Sequence, residues 1–341
     1  MKFFLMMILV FCYQISIAAE IPFHRGVNLS GWFQESNARK IQLNRYSKEN
    51  FIDIKSLGCD VIRLPVNLHA MILQTEPLTV DPIFLFCLDY VLDITEELNL
   101  HLIIDNHSFD PAVYTSPLVK DTLIALWPQI AAHCQNRSKL IYYEILNEPS
   151  GISDSLWNEI QQLVINSIRE IDTFHTIIVG PSNWNSYHNL KYLKEFHDDN
   201  LIYTFHFYDP FLFTHQGASW ADPSLENLKN VPFPHNSAPI PVCPDDLKGT
   251  WVETALLDYY KKGSVKNVEE LLNIVTDFSE DRNVPLFCGE FGVFMPNSPT
   301  DDRVFWHQIV REIFEKKNIS WTLWEYHHGF GLFNEETGGL F

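Results

Sequence analysis

Basic residues are scarce in this chain of 341. Lys and Arg number 24 against 43 Asp and Glu, for a formal net charge of −19. A nucleic-acid partner needs a basic face to neutralise phosphates, so that class is excluded, and docking on an anionic membrane surface with it. Long apolar runs are missing after the first residues, and no stable membrane span is expected. No internal repeat, low-complexity tract or Ser/Pro/Thr linker divides the chain. The glycine-rich turn that cradles a nucleotide phosphate is absent, and no two Cys stand at metal-ligand spacing. A neutral substrate, handled without cofactor or metal, suits what is left.

Residues 1–19 have the pattern of a secretory signal. Lys2 gives a positive start, Phe3–Phe11 is apolar, and the segment closes on the small residues Ser16, Ala18 and Ala19. The apolar core is too short to span a bilayer comfortably. The expectation is a secreted or periplasmic protein whose residues 20–341 form one catalytic domain, acting as a monomer. Five Cys follow the signal: Cys59, Cys87, Cys134, Cys243 and Cys288. The odd number leaves at least one outside any intrachain disulfide. Cys288, two residues before Glu290, is expected to share its face as core filler.

Apolar strand-like runs cover 23–28, 59–65, 101–106, 140–147, 175–180, 200–208, 284–290 and 319–324. Amphipathic stretches lie between them at 48–57, 82–99, 117–134, 154–171, 187–196, 266–280 and 301–317. In the second helix Ile83, Cys87, Tyr90, Val91, Ile94 and Leu98 recur at three- and four-residue steps, behind an Asp81-Pro82 start. In the fourth the same spacing joins Ile160, Leu163, Val164, Ile168 and Ile171. Eight apolar strands alternating with helices predict the α/β class and closure into a (β/α)8 TIM barrel. The segment 209–265 is too long for a plain connection. It reads as an elaborated loop after strand six, either a wall of the substrate cleft or an excursion packed outside.

Function in such barrels collects where strands end. The run Ile141-Tyr142-Tyr143-Glu144-Ile145-Leu146-Asn147-Glu148-Pro149 breaks from apolar to Asn147 and Glu148. The run 284–292 ends on Glu290. Two buried strands ending on carboxylates suggest a pair meeting at one rim, the apparatus for cleaving a glycosidic bond. Arg63 shares an inward face with Val61, and a buried Arg requires a carboxylate. Strand three ends in His107. Strand six places His206 and Tyr208 on one face, and strand eight ends in Trp324. The 14% aromatic content, nine Trp included, offers flat apolar faces for sugar rings. Trp32, Trp184 and Trp220 are candidate platforms.

Arg25-Gly26-Val27-Asn28-Leu29, Ile62-Arg63-Leu64-Pro65, Asn147-Glu148-Pro149, His206-Phe207-Tyr208, Gly289-Glu290-Phe291-Gly292 and Trp324 together resemble the family-five glycoside hydrolases, retaining cellulase-like barrels. The resemblance runs from 25 to 333. It implies Glu148 as acid/base and Glu290 as nucleophile. It also implies supporting roles for Arg63, His107, Asn147, His206, Tyr208 and Trp324, and β-glucan as the partner. Physical reasoning agrees. Arg63 and Tyr208 would keep Glu290 anionic, while Glu148, near that charge and partly desolvated, would stay protonated. The expected activity is internal cleavage of β-1,4-glucan. A β-1,3-glucanase, a β-mannanase, another β-glycosidase and a non-catalytic carbohydrate-binding barrel stay open, as does a metallohydrolase built on His107, His206 and His327. One geometric difficulty stands: neighbours Asn147 and Glu148 would face opposite ways on a regular strand.

Overall fold

The computed structural model describes residues 21–73, 75–108 and 114–332. The signal expected at 1–19 lies outside them. Eight strands form a closed, wholly parallel cylinder. They are β1 (Arg25–Asn28), β2 (Val61–Val66), β3 (His101–Asn106), β4 (Ile141–Glu144), β5 (Thr176–Val179), β6 (Leu201–Phe207), β7 (Leu286–Phe291) and β8 (Ser320–Leu323). The ring closes where β1 pairs with both β2 and β8, Val27 lying level with Ile62 and Leu323.

Side-chain alternation explains both the barrel and its site. On the inner face Val61, Ile103, Tyr142, Ile178, Ile202 and Phe287 join Ile21 and Phe23 in an apolar plug. The outer-facing Ile62, Leu64, Leu102, Ile104, Tyr143, Ile177, Val179 and Phe205 pack into the larger core under the helices. One inward step beyond the plug, the residues turn polar: Arg63, Asp105, Glu144, Thr204 and Gly289, with Thr322 on the eighth strand. The charged layer is therefore dictated by strand register, two residues above an apolar one.

The main helices are α1 (Lys48–Ser56), α2 (Pro82–Glu97), α3 (Val119–Cys134), α4 (Asp154–Arg169), α5 (Val265–Arg282) and α6 (Thr300–Lys316). Their starts follow the expected chemistry. Asp81 accepts from Ile83 N–H with Pro82 in the first position, Ser153 accepts from Leu156 N–H, and Ser264 from Asn267 N–H. After β5 the expected helix is a 3-10 segment, Tyr187–Tyr192.

Several expectations need correction. Ile83, Leu163 and Ile171 are 37%, 45% and 41% exposed. The rest of the expected stripes is largely buried, Cys87, Val91 and Ile94 on α2 and Ile160, Val164 and Ile168 on α4, and Phe84, Leu88 and Leu92, and Trp157, Gln161 and Ile165, are buried beside them. Each helix touches the barrel and its neighbours, so its buried arc is wider than one stripe and extends past it on one side. Cys288 lies in the outer core rather than on the face of the site, since Phe287 takes the inward position. Cys59, Cys87, Cys134, Cys243 and Cys288 are all free thiols.

The segment 209–265 has its own packing. It carries short helices Phe211–Thr214, Trp251–Leu257 and Tyr259–Lys262. Leu225, Leu228, Val231, Phe233, Leu247, Val252 and Tyr259 are buried in it. It also contributes to the rim: Trp220 lies 4.7 Å from Phe294 and 6.2 Å from Phe330, whose ring is 6.0 Å from Tyr208. The packed excursion is therefore present, and one edge of it reaches the aromatic residues beside Tyr208.

Closure of the ring leaves no room at Gly26, where a Cβ would collide with the Val61 carbonyl oxygen. Gly26→Ala is expected to destabilise the fold by about 2 kcal/mol or more in urea unfolding, since the backbones must separate. A loss below about 0.5 kcal/mol would contradict the tight β1–β2 seam.

Candidate active site

Arg63 is completely buried and sets the layout. Its Nε and Nη2 form a fork with Glu144, at 2.7 and 2.9 Å. Nη2 also donates to Asn147 Oδ1 at 2.9 Å and lies 3.1 Å from Asp105 Oδ2. Nη1 donates to Asn28 Oδ1 and to Glu290 Oε1, both at 2.9 Å. One guanidinium thereby ties together residues of β1, β2, β3, β4 and β7. Burial opposes its charge, but Asp105, Glu144 and Glu290 more than offset this and hold its pKa well above the usual value. Burial in turn raises Glu144 and pushes Asp105 up to about 7, against the pull of Arg63. Asp105 Oδ1 has no hydrogen-bond partner among the described residues.

Glu290, 4% exposed, accepts from Arg63 on one oxygen and from the Tyr208 hydroxyl, at 2.9 Å, on the other. Both donors stabilise its anion. Burial, then the neighbouring Glu290, puts the Tyr208 phenol far above its ordinary range, so it remains a donor.

Glu148 reaches the same space by a different route. Its strand has already ended at Glu144, and Glu148 takes φ 45°, in the left-handed region. That turn removes the difficulty of adjacent residues on opposite faces, and Asn147 and Glu148 both serve the site. Glu148 Oε1 lies 2.7 Å from His206 Nδ1. Its side chain is 16% exposed, and burial pushes its carboxyl up to about 7 while His107 and Arg63 pull it down. An oxygen of Glu148, an oxygen of Glu290 and a His206 nitrogen all lie within 4.8 Å of one another.

The floor is built by His107. Its Nδ1 is 2.8 Å from Asp105, its Nε2 3.3 Å from the Asn147 amide, and its ring stacks on Trp324 at 5.4 Å and 14°. Burial lowers its pKa and favours the neutral ring. Trp324 itself stays partly exposed.

The two acids and the six residues singled out around them converge, and two of the three tryptophan platforms stay available. Trp184 and Trp220 are 44% and 56% exposed. Trp32 is not a platform. It is 1% exposed, its ring meets Phe33, Tyr46, Phe51 and Tyr90, and its indole N–H is spent on Gln42 O. Glu144 was given no role in the sequence, nor was Asn28, although Asn28 stands in one of the motifs that carry the resemblance. Glu144 follows the inward Tyr142 by two residues, as Arg63 follows Val61, and that spacing could have found it. Glu325, hydrogen-bonded by Ser30, is a further buried carboxyl that burial pushes up to about 7.

Glu148, His206 and Glu290 form the one group among the described residues that converges as metal ligands would. Two ligands of a tetrahedral zinc ion stand about 3.3 Å apart. The 2.7 Å between His206 Nδ1 and Glu148 Oε1 is instead a direct hydrogen bond. His327 is exposed, its ring 4.6 Å from that of Tyr326 and 5.9 Å from that of Tyr46.

Comparison with known proteins places this geometry in context. A family model described as cellulase, glycosyl hydrolase family 5, matches residues 20–329. Endoglucanase 3 of Fibrobacter succinogenes is 30% identical over 340 residues, covering 93% of this chain and 51% of that protein. The chain thus spans about half the length of that relative. Endoglucanase C of Acetivibrio thermocellus is 27% identical over 339 residues, covering 93% and 95%. A solved hyperthermophilic endo-β-1,4-glucanase in complex with substrate superposes with a TM-score of 0.78 at 28% identity, covering 94% of each chain.

Two stability experiments follow from the charges. Arg63→Met leaves buried carboxylates without their cation and should cost about 3–5 kcal/mol near neutral pH. The unfolded chain ionises these groups more readily, so the deficit should shrink as pH falls toward 5; a pH-independent loss below about 1 kcal/mol would contradict the hub. Glu148→Gln should have the opposite effect. With a folded pKa of about 7 against an ordinary 4.5, Glu148 favours the folded state below 4.5 and loses that contribution as pH rises through 7. The variant should therefore be more stable than the parent by about 1–3 kcal/mol at pH 8, with no gain at pH 4.

Proposed function

The chain belongs to the cellulase family, glycosyl hydrolase family 5, and from that footing we propose that it cleaves β-1,4-glucan internally and with retention of configuration. The observation that carries this reading is the approach of Glu148 and Glu290 to within 4.8 Å. Retaining glycosidases hold their carboxyl groups about 5–5.5 Å apart, whereas inverting ones need roughly 6.5–9.5 Å for an intervening water.

Glu290 attacks the anomeric carbon as Glu148 gives its proton to the departing glycosidic oxygen. The anion that Arg63 and Tyr208 stabilise then becomes a neutral glycosyl ester. At 4.8 Å and an effective dielectric of 20, a neighbouring unit charge is worth about 3 kcal/mol. Losing it makes Glu148 a weaker holder of the next proton, but Glu148 has just released its own. It stays ionised until water enters, then takes a proton from that water as the water oxygen bonds to the anomeric carbon and the bond from that carbon to Glu290 breaks, so both carboxyls return to their starting states. Asn147, anchored through Oδ1 to Arg63, is suited to hold the 2-hydroxyl beside the reacting carbon. Trp324, backed by His107, is suited to stack on the sugar that becomes esterified, and Trp184 and Trp220 on rings farther along the glucan.

Export belongs to the same proposal, resting on the pattern of residues 1–19; among the described residues no helix is long and apolar enough to cross a membrane. The protein is further proposed to act alone, as a monomer.

Purified protein should release sugar from carboxymethylcellulose faster than from laminarin or mannan. Proton NMR of the first products should show the β-anomer. Because Glu148 must be protonated to act first, kcat/KM should fall as pH rises through about 7. Glu290→Gln should lose a factor of about 10³ or more. An α-anomer formed first, or a Glu290→Gln variant of parental activity, would overturn the assignment; laminarin or mannan as preferred substrate would overturn the linkage.

A further inference from the structure

Beyond β5 the backbone does something costly. Asn183, Trp184 and Asn185 have φ of 61°, 59° and 50°, three successive residues in the left-handed region. Such residues cost of order 1–3 kcal/mol each, least for Asn, and persist only where the surroundings impose them. Here Trp184 N–H donates to Pro149 O at 3.2 Å, next to Glu148, and Ser186 forms a parallel bridge with His206. The result is to bring the fully buried Asn185 against the histidine, Nδ2 lying 3.4 Å from His206 Nε2. Gly180 makes room for the amide, for a Cβ there would come within 2.9 Å of Asn185 Oδ1. The mechanism above uses neither residue.

His206 faces two ways. Nδ1 lies 2.7 Å from Glu148 Oε1 and 3.6 Å from Glu290 Oε2, while Nε2 faces Asn185. Burial pushes its pKa down to about 4, against Glu290 and Glu144, with Arg63 and His107 also opposing its charge. A neutral imidazole carries one N–H, and the partner of one nitrogen decides where it sits. As placed, the amide nitrogen faces Nε2 while Asn185 Oδ1 has no hydrogen-bond partner among the described residues; in this placement Nε2 carries the lone pair that accepts the N–H, and the ring proton belongs on Nδ1, between the two acids. With the proton on Nε2 instead, Nδ1 would take its hydrogen bond from Glu148 and compete with the sugar for the acid's proton.

We propose that Asn185 is a positioning residue for the acid/base. Its amide holds His206 as the Nδ1–H tautomer, which commits Oε1 of Glu148 as an acceptor and leaves Oε2 to exchange its proton with the glycosidic oxygen and with water. The Nδ1 proton stays in place throughout; only the Oε2 proton leaves, and water restores it. The inference rests on the acid/base role proposed for Glu148.

The test combines spectroscopy and kinetics on the full chain. Long-range proton–nitrogen NMR with labelled histidine, the His206 signals identified by their loss in His206→Gln, should show a protonated Nδ1 and a bare Nε2. Asn185→Asp keeps the shape and tolerates positive φ, but its carboxylate can only accept, so a proton should appear on Nε2. Asn185→Gly keeps the backbone without strain. It should slow cello-oligosaccharide hydrolysis about tenfold, the equivalent of one hydrogen bond. It should affect 2,4-dinitrophenyl cellobioside, whose leaving group needs no proton, less than about threefold. The alkaline limb of kcat/KM should move upward, because the freed ring favours neutral Glu148. A parent protonated at Nε2, or equal slowing of both substrates with an unmoved limb, would overturn the proposal. A parent inactive on every glucan would overturn the functional reading instead, and the tautomer spectrum would still decide the role of Asn185.

Discussion

A guanidinium sealed from water inside the barrel is the constraint on which the rest of this structure depends. Arg63 cannot lie at that depth without partners, since an isolated buried charge costs several kcal/mol or more. Its five partners come from four strands and their ends: Asn28, Asp105, Glu144, Asn147 and Glu290. The ion pairs therefore do more than neutralise one another. They fix the relative heights of β1, β3, β4 and β7 at the rim where the chemistry is proposed, and they aim Glu290 and Asn147 from the same cation. Precision of this kind is what a site needs when small misplacements cost large factors in rate.

The two acids owe their different characters to different surroundings. Glu290 receives a cation and a phenol, both favouring negative charge. Glu148 receives one imidazole and is otherwise desolvated, and burial is the leading cause of its high pKa. The sequence had suggested a larger part for the neighbouring negative charge. The nearby His107 and Arg63 in fact oppose the shift, so a dry position must supply it. A left-handed residue puts Glu148 there, beyond the end of its strand. Strain at this point and at Asn183–Asn185 lies on either side of His206, which links the two carboxylates.

Much of this was legible from residue order because strand alternation is a strict rule. Eight apolar runs with intervening helices allow few closures, and polar residues at their ends must gather at one rim. Arg63 announced itself by sharing a face with Val61. The same rule applied to Tyr142 and Glu144 would have found the fork on Arg63, but an apolar run read as one long strand to Asn147 concealed it. Trp32 shows the opposite failure. Aromatic identity alone does not separate a sugar platform from core, and its burial depends on Tyr46, Phe51 and Tyr90, which the fold brings from distant segments. Asn185 was invisible for a related reason: its importance comes from a backbone excursion that no local periodicity encodes.

The central claim is that the carboxylate held by Arg63 and Tyr208 forms the bond to sugar while Glu148 manages the proton. Trapping with 2,4-dinitrophenyl 2-deoxy-2-fluoro-cellobioside, followed by peptide mass spectrometry, tests it most directly. The expected result is one fluoroglycosyl group esterified to Glu290. A label on Glu148 or Glu144, or full inactivation without any covalent adduct, would contradict it.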